Sequence, residues 1–352
     1  MSNDLSRLKV RDLGEQALLQ RLQRFCPKGI VGDDAAVLQT RPQLDLVITT
    51  DVLVDGVHFS VGLATPNIYT TSPADVGWRA AAANLSDLAA MGAAPLGITV
   101  GLSAPGETPV VWIEEIYQGL TACLQRFNTP IVGGDITRSP ILTLAITAFG
   151  QVAPHQVIRR STAQPGDAIV ATGWHGASRA GLELLLHPEL GQELSESDRT
   201  YLIQSHQRPN PRLDILPYLL PSSPIPHPSS LLSPPFKIAG MDSSDGLADA
   251  IVQICRMSSV GARVERSQIP IPPALTRWVS SEQAMQWALY GGEDFELVLC
   301  LEQAAAQALV EQLGLGAAIV GTITKEPEVL LVDAAGHEPD ETLTLQKGFQ
   351  HF

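Results

Sequence analysis

Acidic residues occur at six places in this sequence where the neighbours are small or apolar. The flanking letters read IVGDDAAV, VITTDVLV, NLSDLAAM and IVGGDI at four of them. A buried carboxylate is costly unless something positive compensates it, so one such position is unusual and six form a pattern. The positions are Asp33/Asp34, Asp51/Asp55, Asp87, Asp135, Asp242/Asp245 and Glu293/Asp294.

Convergent carboxylates are stable when a hard divalent cation lies between them. Mg²⁺ prefers oxygen ligands, and the sequence offers Asp and Thr without a dedicated His or Cys cluster, which favours Mg²⁺ over Zn²⁺. Each acidic position alone is equally consistent with a turn or a helix cap. Together they predict a magnesium site suited to nucleotide phosphates.

The usual protein cradle for phosphates is missing from the sequence. No Gly-Lys dipeptide occurs, so the P-loop pattern is absent, and the protein-kinase motifs are absent as well. We therefore expect metal ions to bear most of the phosphate charge. Arg138, Arg160 and the glycine amides of the GGD and GGED turns are expected to assist.

Composition excludes several classes of function. The chain has 352 residues, 45% of them hydrophobic, and a formal net charge of −14. Nucleic acids and anionic membranes need clustered Lys and Arg, so neither is expected as a partner. No uninterrupted apolar stretch is long enough to cross a membrane, and no secretory signal is visible, so we predict a cytoplasmic protein.

Strands and helices alternate in the sequence, which predicts an α/β organisation in two domains. The first domain, 1–152, begins with an amphipathic helix and continues with a strand at 45–54 and an Ala-rich helix at 71–92. It then has a strand at 96–104, a helix at 108–127, and strands at 129–139 and 141–152.

The second domain, 153–352, begins with a turn and a strand at 164–173 and repeats the alternation to the end of the chain. Residues 217–235 are rich in Pro and Ser, and this composition predicts a surface loop or disordered insertion without regular structure.

Eight segments, taken in order, resemble the motif set of the thiamine-monophosphate kinase family, within the aminoimidazole ribonucleotide synthetase superfamily. The resemblance covers about residues 10–352 except the Pro/Ser-rich segment. The segments are GDDAAVL, TTDVLVDGVHF, NLSDLAAMGA, GGDITRS, RRSTAQPGD, DSSDGL, GGEDFEL and KGFQHF.

The resemblance implies a two-domain, mixed α/β, aminoimidazole ribonucleotide synthetase-like (PurM-like) fold. It implies a homodimer whose N-terminal sheets pair across the interface, with the active sites nearby. The implied activity transfers the γ-phosphoryl group of ATP to thiamine monophosphate, giving thiamine diphosphate and ADP. Several Mg²⁺ ions are expected as cofactors, and K⁺ is a further candidate.

The resemblance also assigns roles to individual residues. Mg²⁺ ligands would be Asp34, Thr49, Thr50, Asp51, Asp87, Asp135, Asp242 and Asp245. ATP would contact Tyr117, Gly134, Asp135, Arg160 and Ser244. Thiamine monophosphate would contact His58, Glu293, and Gln346 or Phe349 near the end of the chain.

Three of these assignments have competing readings. Relatives commonly carry a Trp just before the C-terminal Lys-Gly, where this chain has Gln346, so Phe349 is the alternative aromatic contact. His58 also fits a core or turn histidine, and Glu293 also fits the start of a strand. Within the Asp33/Asp34 pair, successive residues of a strand face opposite ways, so Asp34 is expected to face the metal and Asp33 to shape the turn.

The chemistry is consistent with the absence of a catalytic base. The acceptor is a phosphate monoester that is already anionic, so catalysis reduces to positioning and charge stabilisation by Asp51, Asp87 and Asp135 with their metal ions. Two alternatives remain open: another ATP-using enzyme of the superfamily, and a non-catalytic, metal-binding dimer.

Overall fold

The computed structural model describes residues 8–28, 38–220 and 237–348. The chain divides into two compact units: an N-terminal unit of Met1–Leu88 and Pro95–Gln151, and a C-terminal unit of Ala89–Ala94 and Val152–Phe352. Helices and strands are mixed in both units, which confirms the predicted α/β character. The domain limits 1–152 and 153–352 remain a prediction.

The N-terminal unit is built from four strands and four helices among its described residues. The helices are α1 (Val10–Leu13), α2 (Glu15–Leu22), α3 (Pro73–Ala90) and α4 (Val110–Gln125), and the strands are β1 (Asp45–Val54), β2 (Ala94–Ala104), β3 (Ile131–Arg138) and β4 (Thr143–Val152). The predicted first helix is broken at Gly14, whose φ of 77° ends α1 and starts α2.

The four strands form one sheet in the order β1-β4-β2-β3. Alternate residues of β2 and β4, including Ile98, Val100 and Ile146, are fully buried on one face. The Ala-rich helix α3 is almost entirely buried. Helix α3 packs backbone against backbone on α4 at two glycines, Gly77 of α3 and Gly119 of α4. A Cβ on either glycine would lie within 2 Å of a carbonyl oxygen of the other helix.

The opposite face of β1 is apolar and exposed. Leu46, Ile48 and Val52 alternate along the strand and are each about half exposed, at 50%, 57% and 48%. Among the described strands β1 is at the edge of the sheet, so this apolar face lies at the margin of the sheet.

The C-terminal unit contains seven strands and seven helices among its described residues. In chain order they are β5 (Ala168–Ala171), α5 (Ala177–Leu186), α6 (Glu196–Gln207), α7 (Leu216–Leu219), β6 (Ala239–Asp242), α8 (Leu247–Ser258), β7 (Gly261–Glu265), α9 (Pro273–Thr276), α10 (Ser281–Tyr290), β8 (Leu297–Leu301), α11 (Gln303–Leu313), β9 (Ala318–Thr324), β10 (Val329–Val332) and β11 (Glu341–Thr342).

These strands form a mixed sheet in the order β11-β10-β7-β9-β5-β8-β6. Its core contains Ile169 and Val298 from the central strands, with Ile251 and Ile254 from α8 packed on them. The apolar face of α8 therefore holds the helix on the sheet, and its first residue directly follows the Asp-Ser-Ser-Asp-Gly turn.

The predicted loop over 217–235 begins too early. Pro217 and Leu219 lie in α7 and are buried, because proline fits the first turn of a helix and the preceding apolar residues need a core to pack on. Residues 221–235 lie outside the described residues. No helix in the described parts of the chain is both long enough and apolar enough to span a bilayer.

Candidate active site

In the N-terminal unit, β1 and α3 bring three of the predicted magnesium ligands to one corner. The Thr49 hydroxyl donates a hydrogen bond to Asp87 Oδ2. Two residues along β1, the Asp51 backbone N–H donates to Asn84 Oδ1 at 3.3 Å. An aspartate is tolerated in the Ala-rich helix because Asp87 faces the polar groups of this strand rather than the core.

The next predicted ligand, Thr50, points to the other face of the sheet. Its Oγ1 lies 2.9 Å from the Thr147 hydroxyl on β4. Successive residues of a strand alternate between faces, so Thr49 and Asp51 share the α3 side while Thr50 does not.

Asp135 is separated from this corner by the sheet itself. It lies on β3, which is three strands away from β1 in the sheet, so the two strands are about 14 Å apart. It pairs with Gly101 of β2, on the face opposite to the buried Val100. Asp135 is therefore not brought together with Asp51 and Asp87 by the described residues of this unit.

Gly134 precedes Asp135 at a point where two strand backbones approach closely. A Cβ at this position would lie 2.2 Å from the Val100 carbonyl oxygen. Any side chain here would push β3 away from β2. The glycine thus has a structural reason to be present, independent of its predicted ATP contact.

The other N-terminal assignments have distinct surroundings. Tyr117 is buried in α4, its ring centroid lies 5.6 Å from that of Phe25, and burial raises the pKa of its phenol. We therefore leave Tyr117 out of the proposed ATP site. His58 is half-buried, and its Nδ1 accepts a hydrogen bond from the Val54 N–H at 3.1 Å, which places the proton of the neutral ring on Nε2. Asp34 lies outside the described residues.

Asp55 of the acidic pattern has a structural role. Its carboxylate is buried and accepts hydrogen bonds from the Val61 N–H at 3.1 Å and the Ala64 N–H at 2.7 Å. These bonds shape the loop that follows β1.

A cleft of about 830 Å³ opens beside the ends of β2 and β3, and Arg138 and Arg11 line it. Arg11 and Lys9 pair with Glu107 on its rim. Arg138, the arginine of this unit that was predicted to assist with phosphates, lies in the cleft wall.

In the C-terminal unit, two acidic turns lie against each other. The Glu293 N–H donates to the Ser244 carbonyl oxygen at 2.7 Å, and the Ser243 N–H donates to the Glu296 carbonyl oxygen at 2.8 Å. Asp242 is buried at 3% exposure, and the Ser244 hydroxyl donates to its Oδ1 at 3.1 Å. Asp242, Ser244, Asp245 and Glu293 thus come together in the fold.

Asp294 is turned away from this surface. Its two carboxylate oxygens accept the N–H groups of Gly176 and Ser178 at 2.7 and 2.8 Å, at the start of α5. Burial raises the pKa of Asp294 to about 7, against the effect of these two donors. It anchors the turn instead of facing a ligand.

Sequence reasoning missed a buried histidine beneath the first turn. His175 Nδ1 lies 3.0 Å from the Gly173 carbonyl oxygen and Nε2 lies 3.1 Å from the Ser243 hydroxyl. The carbonyl needs a donor, so Nδ1 carries the proton and Nε2 accepts from Ser243. Burial lowers the pKa of His175 to about 4, which keeps the ring neutral. The only sequence signal was a His-Gly pair after a strand.

The remaining assignments lie at the surface of the unit. Arg160 donates to the Gln253 side chain at 2.7 Å, and Gln253 donates to Asp249 at 2.6 Å, both on α8. Gln346 is exposed in a single 3₁₀ turn, Leu345–Lys347. Phe349 lies outside the described residues.

The donor chemistry fits Mg²⁺, although the described residues of neither unit form a complete set of ligands. Within residues 8–28, 38–220 and 237–348, no three His, Cys, Asp or Glu side chains are grouped closely enough to hold a metal ion. Thr49, Asp51 and Asp87 offer oxygen atoms in one unit, and Asp242 and Asp245 offer them in the other. Hard cations prefer such all-oxygen sets.

Comparison with known proteins defines the class. Residues 32–152 match the AIR synthase related protein N-terminal domain, and residues 231–333 match the AIR synthase related protein C-terminal domain. The chain is thus a two-domain protein of the AIR synthase related class, which confirms the predicted fold.

Within that class, the chain belongs to the thiamine-monophosphate kinase family. The thiamine-monophosphate kinase of Synechococcus elongatus is 50% identical over 99% of both chains. The crystal structure of thiamine-monophosphate kinase from Stenotrophomonas maltophilia matches with a TM-score of 0.73 at 35% identity, covering 89% of this chain and 94% of that one. AaThiL complexed with AMPPCP and TMP matches with a TM-score of 0.68 at 26% identity, covering 96% and 98%. The predicted family and enzyme class are confirmed.

Proposed function

We propose that the protein transfers the γ-phosphoryl group of ATP to thiamine monophosphate, the last step in the biosynthesis of thiamine diphosphate. A phosphate oxygen of thiamine monophosphate forms the new bond to the γ-phosphorus, the bond from that phosphorus to the β,γ-bridging oxygen breaks, and ADP leaves. The observation that carries this proposal is 50% identity over 99% of the chain to a thiamine-monophosphate kinase. The complex of AaThiL with AMPPCP, an ATP analogue, and TMP supports the choice of both substrates.

The transfer needs no general base because the attacking oxygen is anionic at neutral pH. The main barrier is the approach of one anion to another in line with the leaving group. Several Mg²⁺ ions, with K⁺ as a further candidate, would supply neutralising charge when bound. The protein's own part is to hold both phosphate chains in register and to present oxygen ligands at fixed positions.

We assign these ligands to both acidic regions. Thr49, Asp51 and Asp87 at the β1–α3 corner are supported by their convergence, and Asp242 and Asp245 by the turn that holds Ser244. Asp34, Thr50 and Asp135 are proposed from the family resemblance alone. ATP is proposed to contact Gly134, Asp135, Arg160 and Ser244. The thiamine side is proposed to contact His58 and Glu293, with Gln346 or Phe349 as a further contact.

We further propose a homodimer formed through β1, and a cytoplasmic location. The exposed apolar residues Leu46, Ile48 and Val52, on the edge strand of the sheet that the described residues form, support pairing with a second copy. Such pairing would extend each sheet with strands of the second copy and bring the apolar residues of β1 to the interface.

A substrate comparison tests the proposed function. The purified protein is incubated with MgATP and, in separate reactions, thiamine, thiamine monophosphate or an aminoimidazole ribonucleotide precursor, and the products are separated by chromatography. We expect product only from thiamine monophosphate. Turnover of the aminoimidazole-type substrate instead would assign the chain to a different reaction of the superfamily, and binding without turnover of any substrate would indicate a non-catalytic module.

A further inference from the structure

The Gly-Gly-Glu-Asp-Phe turn has an unusual backbone. Gly292, Glu293 and Phe295 have φ values of 67°, 59° and 52°. Residues with side chains rarely adopt this left-handed region, and when they do the surrounding structure must hold them there. Glu293 is therefore presented in a specific direction by contacts beyond its own turn.

One backbone hydrogen bond and one side chain hold the turn. The Glu293 N–H donates to the Ser244 carbonyl oxygen, and the Asp294 carboxylate accepts the N–H groups of Gly176 and Ser178 at the start of α5. A Cβ on Gly292 would lie 2.6 Å from that same Ser244 carbonyl oxygen, so the glycine permits the close approach. These anchors fix the backbone but leave the Glu293 side chain to be placed by other groups.

A buried histidine lies beside that side chain. His206 of α6 is 2% exposed, and its Nδ1 lies 3.6 Å from Glu293 Oε2 and 3.1 Å from the Ser178 hydroxyl. The Nδ1 side of the ring is thus held by the Ser178 hydroxyl and lies beside the Glu293 carboxylate. The 3.6 Å separation is too long for a hydrogen bond, so the ring acts on the carboxylate through close packing and the local electrostatic field.

The position of His206 is fixed by close packing of α5 and α6. A Cβ on Gly181 of α5 would lie 2.0 Å from the Leu202 carbonyl oxygen of α6, and 3.1 Å from the His206 Cβ. The two helices therefore meet backbone to backbone, one turn away from the Ser178–His206 contact. Movement of the histidine relative to the turn would require the helix pair to separate.

We propose that His206, held by Ser178, is a positioning residue that orients the Glu293 carboxylate toward the cationic, amine-bearing ring system of thiamine monophosphate, whose positive charge is on the thiazolium ring. This inference rests on the proposed function, in which Glu293 contacts the thiamine side. His206 contacts neither the transferred phosphoryl group nor ATP in this account. Its loss should weaken substrate binding and leave the phosphoryl-transfer step unchanged.

The test measures affinity and turnover separately. Titration calorimetry gives Kd for thiamine monophosphate, and steady-state kinetics give KM for each substrate and kcat. His206→Ala should raise Kd and KM for thiamine monophosphate about tenfold, the order expected for losing one polar contact to a charged group. The KM for ATP and kcat should stay within about twofold. His206→Asn, whose amide nitrogen replaces Nδ1, should restore most of the affinity.

Two controls separate positioning from damage to the fold. Leu202→Ala removes a fully buried side chain from the same helix, so it should lower the thermal midpoint while leaving Kd unchanged. In a Glu293→Gln background, His206→Ala should have no further effect on Kd, because the group it orients has lost its charge.

Three outcomes decide the matter. The positioning role is overturned, and the kinase function is not, by either of two results. One is an unchanged Kd for thiamine monophosphate in His206→Ala. The other is a further tenfold loss of affinity when His206→Ala is added to Glu293→Gln. A wild-type protein that neither binds nor phosphorylates thiamine monophosphate overturns the proposed function and this inference with it. The tenfold loss, its rescue by Asn and its absence in the Gln background together support it.

Discussion

Replacement of Asp87 by asparagine separates the site's chemistry from its packing. Asp87 accepts a hydrogen bond from Thr49 in a half-buried corner that also contains Asp51. Asparagine has nearly the same shape and keeps one oxygen for the Thr49 hydroxyl, so the corner should stay intact. What is lost is one negative charge proposed to hold Mg²⁺.

The magnitudes follow from this geometry. Removing a group that stabilises transition-state charge costs about 3 kcal/mol or more, so kcat should fall at least ~100-fold. The unfolding free energy without ligands should stay the same or rise by up to ~1 kcal/mol, because a half-buried charge near Asp51 has been removed. Wild type should gain ~2.7 kcal/mol of stability at MgATP concentrations 100 times Kd, and the variant much less.

The assays are thiamine diphosphate formation at saturating substrates and thermal unfolding with and without MgATP. Asp75→Asn is a matched control on the same helix, because Asp75 accepts from the Ser72 N–H and hydroxyl at the helix start. That change should lower stability slightly and spare activity. An Asp87→Asn protein that keeps more than a fifth of wild-type activity would refute the assignment of Asp87 as a central ligand.

Three further predictions concern other parts of the molecule. Gly77→Ala should lower the free energy of unfolding by about 2 kcal/mol or more, because the new Cβ would collide with the Ile116 carbonyl oxygen. Gly101→Ala, where a Cβ would lie 3.4 Å from its nearest neighbour, should cost much less in the same denaturant titration. Equal costs would contradict close packing of α3 and α4. His175→Gln should flatten the pH dependence of the unfolding free energy between pH 6.5 and about 4. Because the pKa of His175 is lowered in the folded state, wild type has this stability above pH 6.5 and loses up to ~3 kcal/mol of it on acidification. An unchanged slope in the variant would refute this. Ile48→Lys should weaken self-association in sedimentation velocity by placing a charge on the exposed β1 face, and an unaffected dimer would mean that another surface is used.

Sequence periodicity predicted most elements of the fold but not their arrangement in space. The strand at 45–54 and the helices around 71–92 and 108–127 were recognisable because alternation or apolar spacing is a local property. The break at Gly14 and the helix ending at Leu219 were missed because a positive φ and a buried proline depend on tertiary packing.

The same limit applies to the candidate site. The Thr49 hydroxyl contacts Asp87, and the Asp51 backbone contacts Asn84 one turn earlier on the same helix, while the role of these residues as ligands stays a prediction. Nothing in the sequence reveals that β1 and β3 are at opposite ends of the described sheet, which separates Asp135 from them. His175 and His206 carry no motif, since each matters through burial and through the backbone it faces. Contacts between elements distant in sequence are therefore visible only in the structure.

The most direct test of the central claim is phosphorus NMR of the purified protein with MgATP and thiamine monophosphate. We predict that the resonances of the new diphosphate appear in step with those of ADP, one thiamine diphosphate for each ATP consumed, and that neither forms when Mg²⁺ is chelated. Release of inorganic phosphate without thiamine diphosphate, or no reaction at all with Mg²⁺ present, would contradict the account.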